Sequence, residues 1–187
     1  MAYYETERLI LREWQESDMA PFIALNQDPD VMRFLIVYNE QETISITKEF
    51  MQHFARYGYT IYACVLKSNG QFIGFVGLWH RFDMPFSPCV EIGWRLEKKY
   101  WGQGLAFEAA TKCLEIGFLE FDLDEIVSFS SKINIQSKRV MQKIGMIYNE
   151  GEDFYHYKLA RDDPLSLHVL YRIGRLDWIA RLGRDNK

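Results

Sequence analysis

The segment Lys99-Tyr-Trp-Gly-Gln-Gly-Leu-Ala106 sets two glycines, one residue apart, directly before a run with helical periodicity. Glycine permits the tight turn in which successive amide N–H groups face one centre, and such a turn cradles anions. A helix beginning there adds the positive end of its dipole, so a pyrophosphate could be held largely by main-chain donors. Two glycines before a helix also satisfy the steric needs of an ordinary turn, and Gly102-Gln-Gly104 alone leaves both readings open. The third glycine of a dinucleotide GxGxxG turn and the Gly-Lys-Ser/Thr ending of a Walker loop are both missing.

The elements around this turn follow from pattern. Upstream, Cys89 to Leu96 alternates: Val90, Ile92, Trp94 and Leu96 share one face, and Glu91, Gly93 and Arg95 the other, as in a central strand. Downstream, Leu105/Ala109/Cys113 and Ala106/Ala110/Leu114/Phe118 form adjacent helical rows, with Glu108, Thr111, Lys112 and Glu115 opposite. Earlier in the chain, Arg8 to Arg12 reads as a strand. Ser17 and Asp18 offer N-cap oxygens to a helix that carries Pro21 in its first turn and ends about Gln27. Asn39 and Glu42 have capping-box spacing before Ile46, Phe50, Phe54 and Tyr57, and Gly58 is the stop. Tyr59 to Lys67 and Gln71 to His80 form a hairpin around Ser68 to Gly70.

The strand, loop, helix order then repeats. Glu125 to Ser131 is a strand, and Asn134 caps a helix running to Gly145. Phe154 to Leu159 and Leu167 to Ile173 make a closing hairpin around Arg161 to Pro164, and the tail Gly174 to Lys187 can form a short helix through Leu176, Ile179 and Leu182. The expected fold is α/β of the α+β kind, a mixed and mostly antiparallel central sheet flanked by helices. One domain over residues 1–187 is expected, with 174–187 as a peripheral tail.

Composition bounds the function. At about 150 residues per domain, 187 residues leave no room for a second full one, and 48% apolar content supplies a core. The formal charge of -4 opposes nonspecific affinity for nucleic acid. Cys64, Cys89 and Cys113 are odd in number and dispersed, which points to a reducing, cytoplasmic setting. His53, His80, His156 and His168 form no ligand cluster, so no metal is expected. No apolar run approaches about 18 residues, so no membrane span is expected.

With the order of elements in view, the sequence resembles the GNAT acetyltransferases, particularly their ribosomal-protein N-terminal acetyltransferase-like branch. Glu7-Arg-Leu-Ile-Leu-Arg12 resembles the branch's opening strand, and Asp28-Pro-Asp-Val-Met-Arg-Phe34 the segment after its first helix. Tyr100 to Ala106 with Glu108-Ala109 resembles the family's acetyl-CoA loop, Asn134 to Gly145 its second cofactor-side motif, and His168 to Arg172 its closing strand. The resemblance implies a GNAT-like fold with acetyl-CoA as cosubstrate. It also implies that the backbone of Trp101, Gly102, Gln103, Gly104, Leu105 and Ala106 contacts the pyrophosphate, that Leu96 lies along the pantetheine, and that Asn134 and Ser137 face the cofactor. Lys99 stands where the family often has Arg or Gln.

Acetylating an amine requires a neutral nitrogen, yet a lysine-like amine with a pKa of about 10 is almost wholly protonated at neutral pH. A base must take the proton, and the departing thiolate can use an acid. Glu91 is the first candidate for base; the alternative is a solvated carboxylate paired with Arg95, two positions along the same face. His156, between Tyr155 and Tyr157, is the second candidate because an unperturbed imidazole titrates near neutrality. Many family members carry a tyrosine as the acid where this chain has Met141, so Ser137 is the candidate hydroxyl to orient or protonate sulfur, with capping of its helix as the alternative role. The acceptor is a protein N-terminal α-amine or a small-molecule amine, attacked directly in a ternary complex, and the protein is a monomer or homodimer. Phe34, Tyr38, Trp79, Phe82 and Phe86 offer aromatic surface near the acceptor side, without an assigned role. The alternative function is a non-catalytic acyl-CoA-binding sensor or partner-binding module of the same fold. A nucleotide-binding α/β protein is a third reading that rests on the glycine turn alone.

Overall fold

Leu9 and Leu11 are fully buried while Ile10 and Arg12 are partly exposed, the period-two signature of a strand with one covered face. In the computed structural model, which describes residues 3–185, this strand is β2 (Leu9–Arg12), paired antiparallel with β1 (Tyr3–Glu5) and β3 (Ile61–Leu66). Helices α1 (Met19–Gln27), α2 (Pro29–Met32) and α3 (Glu40–Tyr57) come between β2 and β3. The chain continues through β4 (Phe72–Arg81), β5 (Cys89–Leu96), α4 (Leu105–Leu119), β6 (Glu125–Ser131), α5 (Ile135–Lys143), β7 (Ile147–Tyr148), β8 (Phe154–Tyr155), β9 (Leu167–Gly174) and α6 (Arg175–Asp185). These residues form two compact units, 3–79 with 93–113 and 80–92 with 114–185, so β4, β5 and α4 each contribute to both.

The first unit has the strand order β1-β2-β3-β4 with the C-terminal half of β5 next. Its core is aromatic: Trp14 packs on Phe22, Phe50 and Phe72, and the Trp14 indole N–H donates to the Ile61 carbonyl at 2.8 Å. The capping box forms as expected: Glu42 N–H donates to Asn39 Oδ1 (2.9 Å) and Asn39 N–H to Glu42 Oε2 (2.7 Å). Gly58 ends α3 at φ 79°, its N–H on the Phe54 carbonyl at 2.8 Å. The expected capping by Ser17 and Asp18 does not occur. Asp18 is buried and its carboxylate is committed to Arg12 (2.6 and 2.8 Å) and to the Gln15 N–H (2.8 Å), because a buried charge takes the partner that neutralises it. Helix α2 was not anticipated, although Asp28 caps it through the Asp30 and Val31 N–H groups and Pro29 opens it.

In the second unit the N-terminal half of β5 lies beside β6, which lies beside β9. β5 and β6 run parallel, with Glu91 opposite Val127, while β6 and β9 run antiparallel from Glu125/Gly174 to Ser131/His168. Both β7 and β8 also pair with β9. The strand expected over Phe154 to Leu159 stops at Tyr155 because the Leu159 N–H turns back to the His156 carbonyl at 3.0 Å. Helix α5 ends at Lys143, two residues short of Gly145. Met146 N–H bonds the Met141 carbonyl (3.0 Å) and Gly145 N–H the Gln142 carbonyl (3.1 Å), a Schellman stop with Gly145 at φ 91°.

Helix α6 forms in the tail, but Leu176, the first residue of the expected apolar row, is 82% exposed, while Trp178 is buried against Phe118 at 5.4 Å. Arg175 fixes that face by bonding Asp122 (2.7 Å), the Leu123 carbonyl (3.1 Å) and Asp124 (3.2 Å). Residues 186–187 of the tail lie outside the described residues. All three cysteines are free thiols. Among the described residues, no helix is long and apolar enough to cross a membrane, and no group of three His, Cys, Asp or Glu could hold a metal ion.

A neighbouring backbone closes tightly on Gly77 of β4, where a Cβ would stand 2.1 Å from the Thr60 carbonyl oxygen and 2.6 Å from Ile61 Cα. Gly77→Ala is therefore expected to cost at least about 1–3 kcal/mol, read as a lowered denaturation midpoint at unchanged slope.

Candidate active site

At the corner where β5 ends, the Leu96 carbonyl accepts the Trp101 indole N–H at 2.8 Å, and the Trp101 ring packs on the aromatic core of the first unit. A single 3-10 turn, Lys98–Tyr100, leads into the glycines. Gln103 folds back to donate its side-chain N–H to the Lys99 carbonyl at 2.9 Å. Gly102 and Gly104 stand at φ 74° and 79°, a region that penalises any Cβ. Among the described residues, no acceptor takes the amide N–H groups of 102–107; the next amide, Glu108, bonds the Gly104 carbonyl at 3.0 Å. The segment thus presents a run of open donors at the N-terminus of α4, suited to a polyanionic ligand.

Arg8 braces this run. Its Nη1 donates to the Gln103 carbonyl (3.0 Å) and its Nε to Glu108 Oε2 (2.6 Å), while the Arg8 N–H (2.8 Å) and the Thr6 hydroxyl (2.5 Å) both reach Glu108 Oε1. Burial works to raise the Glu108 pKa, but the hydrogen bonds from Thr6 and Arg8 and the Arg8 charge outweigh it and hold the carboxyl below its ordinary value. Sequence reading put Glu108 on the polar side of the helix and missed this contact; the partners lie about 100 positions apart and no local pattern links them.

Glu91, Asn134 and Ser137 lie in the second unit, whereas Leu96 and Trp101 to Ala106 lie in the first. The Glu91 side chain is 19% exposed, and burial pushes its carboxyl up to about 7; Arg81 pulls it down and Asp83 pushes it up. Arg81 Nε stands 3.5 Å from Glu91 Oε2 and 3.1 Å from Asp83 Oδ1. The pairing of Glu91 with Arg95 weighed above is not the one that forms: Arg95 donates to the buried Asn26 Oδ1 and lies over the Phe75 ring at 5.2 Å.

His156 is buried, which pushes its pKa down to about 4, assisted by His168, Arg81 and Lys158 and opposed by Asp83. Its Nδ1 accepts the Lys158 N–H at 3.3 Å, so the imidazole is neutral and a far weaker base than a free histidine. Asn134 caps α5, accepting the Ser137 N–H at 3.2 Å and donating to Ser130 Oγ at 3.0 Å. Ser137 is half-buried, its hydroxyl without a hydrogen bond among the described residues, and Met141 is fully buried.

The fold is that of the acetyl-group transferases. The acetyltransferase of Agrobacterium tumefaciens superposes with a TM-score of 0.77 at 25% identity, over 92% of this chain and 94% of that one. A ribosomal L7/L12 α-N-protein acetyltransferase in complex with coenzyme A shares the fold with a TM-score of 0.74 at 16% identity, over 92% of this chain and 98% of that one. Residues 8–147 match the acetyltransferase (GNAT) domain family, and the chain belongs to it. The N-acetyltransferase YnaD of Bacillus subtilis is 29% identical over 171 residues, 84% of this chain and 96% of its own length.

The Arg8 brace predicts measurable coupling. In a double-mutant cycle of Arg8→Met and Glu108→Gln followed by chemical denaturation, the two changes should be non-additive by about 1 kcal/mol, a value limited by the exposure of Arg8.

Proposed function

We propose that this protein transfers an acetyl group from acetyl-CoA to a primary amine by direct attack in a ternary complex. The acceptor is a protein N-terminal α-amine or a small-molecule amine. The observation that carries this reading is the run of open amide donors over 102–107 at the start of α4. When bound, acetyl-CoA supplies the activated acetyl thioester. Gly102 to Ala106 would hold its pyrophosphate through the backbone, whereas the Trp101 N–H, expected among these donors, is taken by the Lys98 carbonyl at 3.1 Å; the strand end at Leu96, fixed by the Trp101 indole, would border the pantetheine. The L7/L12 acetyltransferase, which carries coenzyme A, supports the cofactor choice and the N-terminal acceptor.

Glu91 takes the proton from the acceptor ammonium, directly or through water, and a carboxyl near 7 is matched to that task. Ser137, its N–H tethered by Asn134, offers its hydroxyl to the cofactor sulfur. The neutral, weakly basic His156 suits hydrogen bonding better than proton abstraction. The reading takes residues 1–187 as one cytoplasmic domain, monomeric or homodimeric, with no metal.

A second reading, a non-catalytic acyl-CoA-binding module, is favoured by one observation: Met141 stands buried where many relatives carry an acidic tyrosine hydroxyl. Incubation with acetyl-CoA and a panel of amines and N-terminal peptides separates the two. Thiol release with a mass gain of one acetyl on an amine is expected; binding of acetyl-CoA without either across the panel would select the second reading.

The Glu91 assignment carries its own pH signature. The base works as a carboxylate, so acetyl transfer should rise with pH through about 7, and Glu91→Gln should lose that limb together with roughly 10²-fold or more of the rate. Stability runs the other way. A carboxyl raised from 4.5 to about 7 in the folded state contributes stability below 4.5 that is lost as pH rises through 7. Above pH 7 Glu91→Gln should therefore melt at a higher temperature than the wild type.

A further inference from the structure

Arg81 is one guanidinium set between two carboxylates. Its Nε lies 3.1 Å from Asp83 and 3.5 Å from Glu91, and that atom is buried without an aligned hydrogen bond to either, so its charge is shared rather than committed. The guanidinium also lies 5.7 Å over the Phe129 ring. The other Asp83 oxygen accepts the Tyr157 hydroxyl at 2.8 Å. Tyr157 follows β8, its ring exposed and stacked on His156 at 5.1 Å.

We propose that Tyr157, Asp83 and Arg81 form a positioning relay in which Asp83, pinned by Tyr157, draws Arg81 away from Glu91 and thereby sets the strength of the base. The relay rests on Glu91 being the base of the proposed reaction. Committed wholly to Glu91, Arg81 would stabilise the carboxylate and weaken it as a proton acceptor. Without Arg81, burial would leave Glu91 protonated at neutral pH. Sharing the cation between two acids yields the intermediate case.

The neighbouring groups leave this balance to Arg81 and Asp83. On its own strand Glu91 has Cys89, whose thiol burial pushes up to about 11, so it is neutral near pH 7. On β6 the residue opposite is the apolar Val127. Past β8, His156 is neutral, and the Lys158 charge acts on it. On β9, His168 is likewise pushed down by burial, and Arg172 is engaged by Glu125 at 2.6 Å and Glu152 at 2.8 Å.

The test is the pH dependence of kcat at saturating amine and acetyl-CoA in the wild type, Asp83→Asn, Arg81→Gln and Tyr157→Phe. Freed from Asp83, Arg81 should turn to Glu91 and move the limb down by about one pH unit; Arg81→Gln should move it up by at least about as much. Tyr157→Phe should follow Asp83→Asn with a smaller shift, and Arg81→Lys should restore part of the wild-type position. A merely structural role would lower kcat without moving the limb, and that result, or shifts of Asp83→Asn and Arg81→Gln in the same direction, overturns the relay.

If Glu91→Gln keeps the wild-type limb, or no amine is acetylated, the base assignment has failed and the relay is read directly instead. Carboxyl-carbon NMR titration of Glu91 in the wild type and Asp83→Asn should then show the downward shift; an unmoved Glu91 overturns it. Thermal unfolding of each variant identifies any that does not fold, and Asp83→Glu then replaces Asp83→Asn, with retention of the wild-type titration as the supporting result and a loss of it as the contrary one.

Discussion

A helix cannot satisfy its own first amide groups, and in this protein that deficit is extended backwards through a glycine turn. The donors of residues 102–107 stay open only if nothing within the chain claims them. The nearest claimant is Glu108, an acidic residue in the first turn of α4, where a carboxylate is drawn to amide groups and would repel an incoming anion. Thr6 and Arg8 remove it from competition by occupying both of its oxygens. The same arginine bonds the Gln103 carbonyl, gripping the acceptor side of the turn while leaving the donor side open. Strand β2, the aromatic core beneath Trp101 and the indole bond to Leu96 all serve to hold one short stretch of backbone in a shape it would not keep alone.

The second unit works through burial and shared charge. Glu91 and His156 begin with ordinary affinities for protons, and their surroundings drive them in opposite directions, the acid up and the base down, because both are held where charge is poorly solvated. One group is left poised near neutrality and the other is silenced. Burial therefore widens the gap between the first and the second candidate that the sequence offered.

What was legible in the sequence was what is local. The Asn39/Glu42 box, the Gly58 stop, the Ser68 to Gly70 hairpin, the β5 alternation and the α4 rows each depend on residues a few positions apart, and each formed. The glycine turn was legible for the same reason. Elements held mainly by distant partners were not: β7 depends on β9, and the buried face of α6 on Phe118. Asp18 carried a correct local signal for capping, but the Arg12 ion pair took its carboxylate. Likewise the partners of Glu91 and Glu108, which decide their chemistry, are set by tertiary pairing that no spacing along the chain encodes.

Neither compact unit is a continuous piece of chain. The backbone passes from one to the other between Trp79 and His80, between Ile92 and Gly93, and again between Cys113 and Leu114, each time inside a strand or helix or beside one. No single cut releases either unit intact, and neither can be lost, duplicated or exchanged as a cassette in evolution. During synthesis the first unit has to wait for residues 93–113 and the second for β9, so the open amides of the glycine turn acquire their brace only after more than half of the chain has been made.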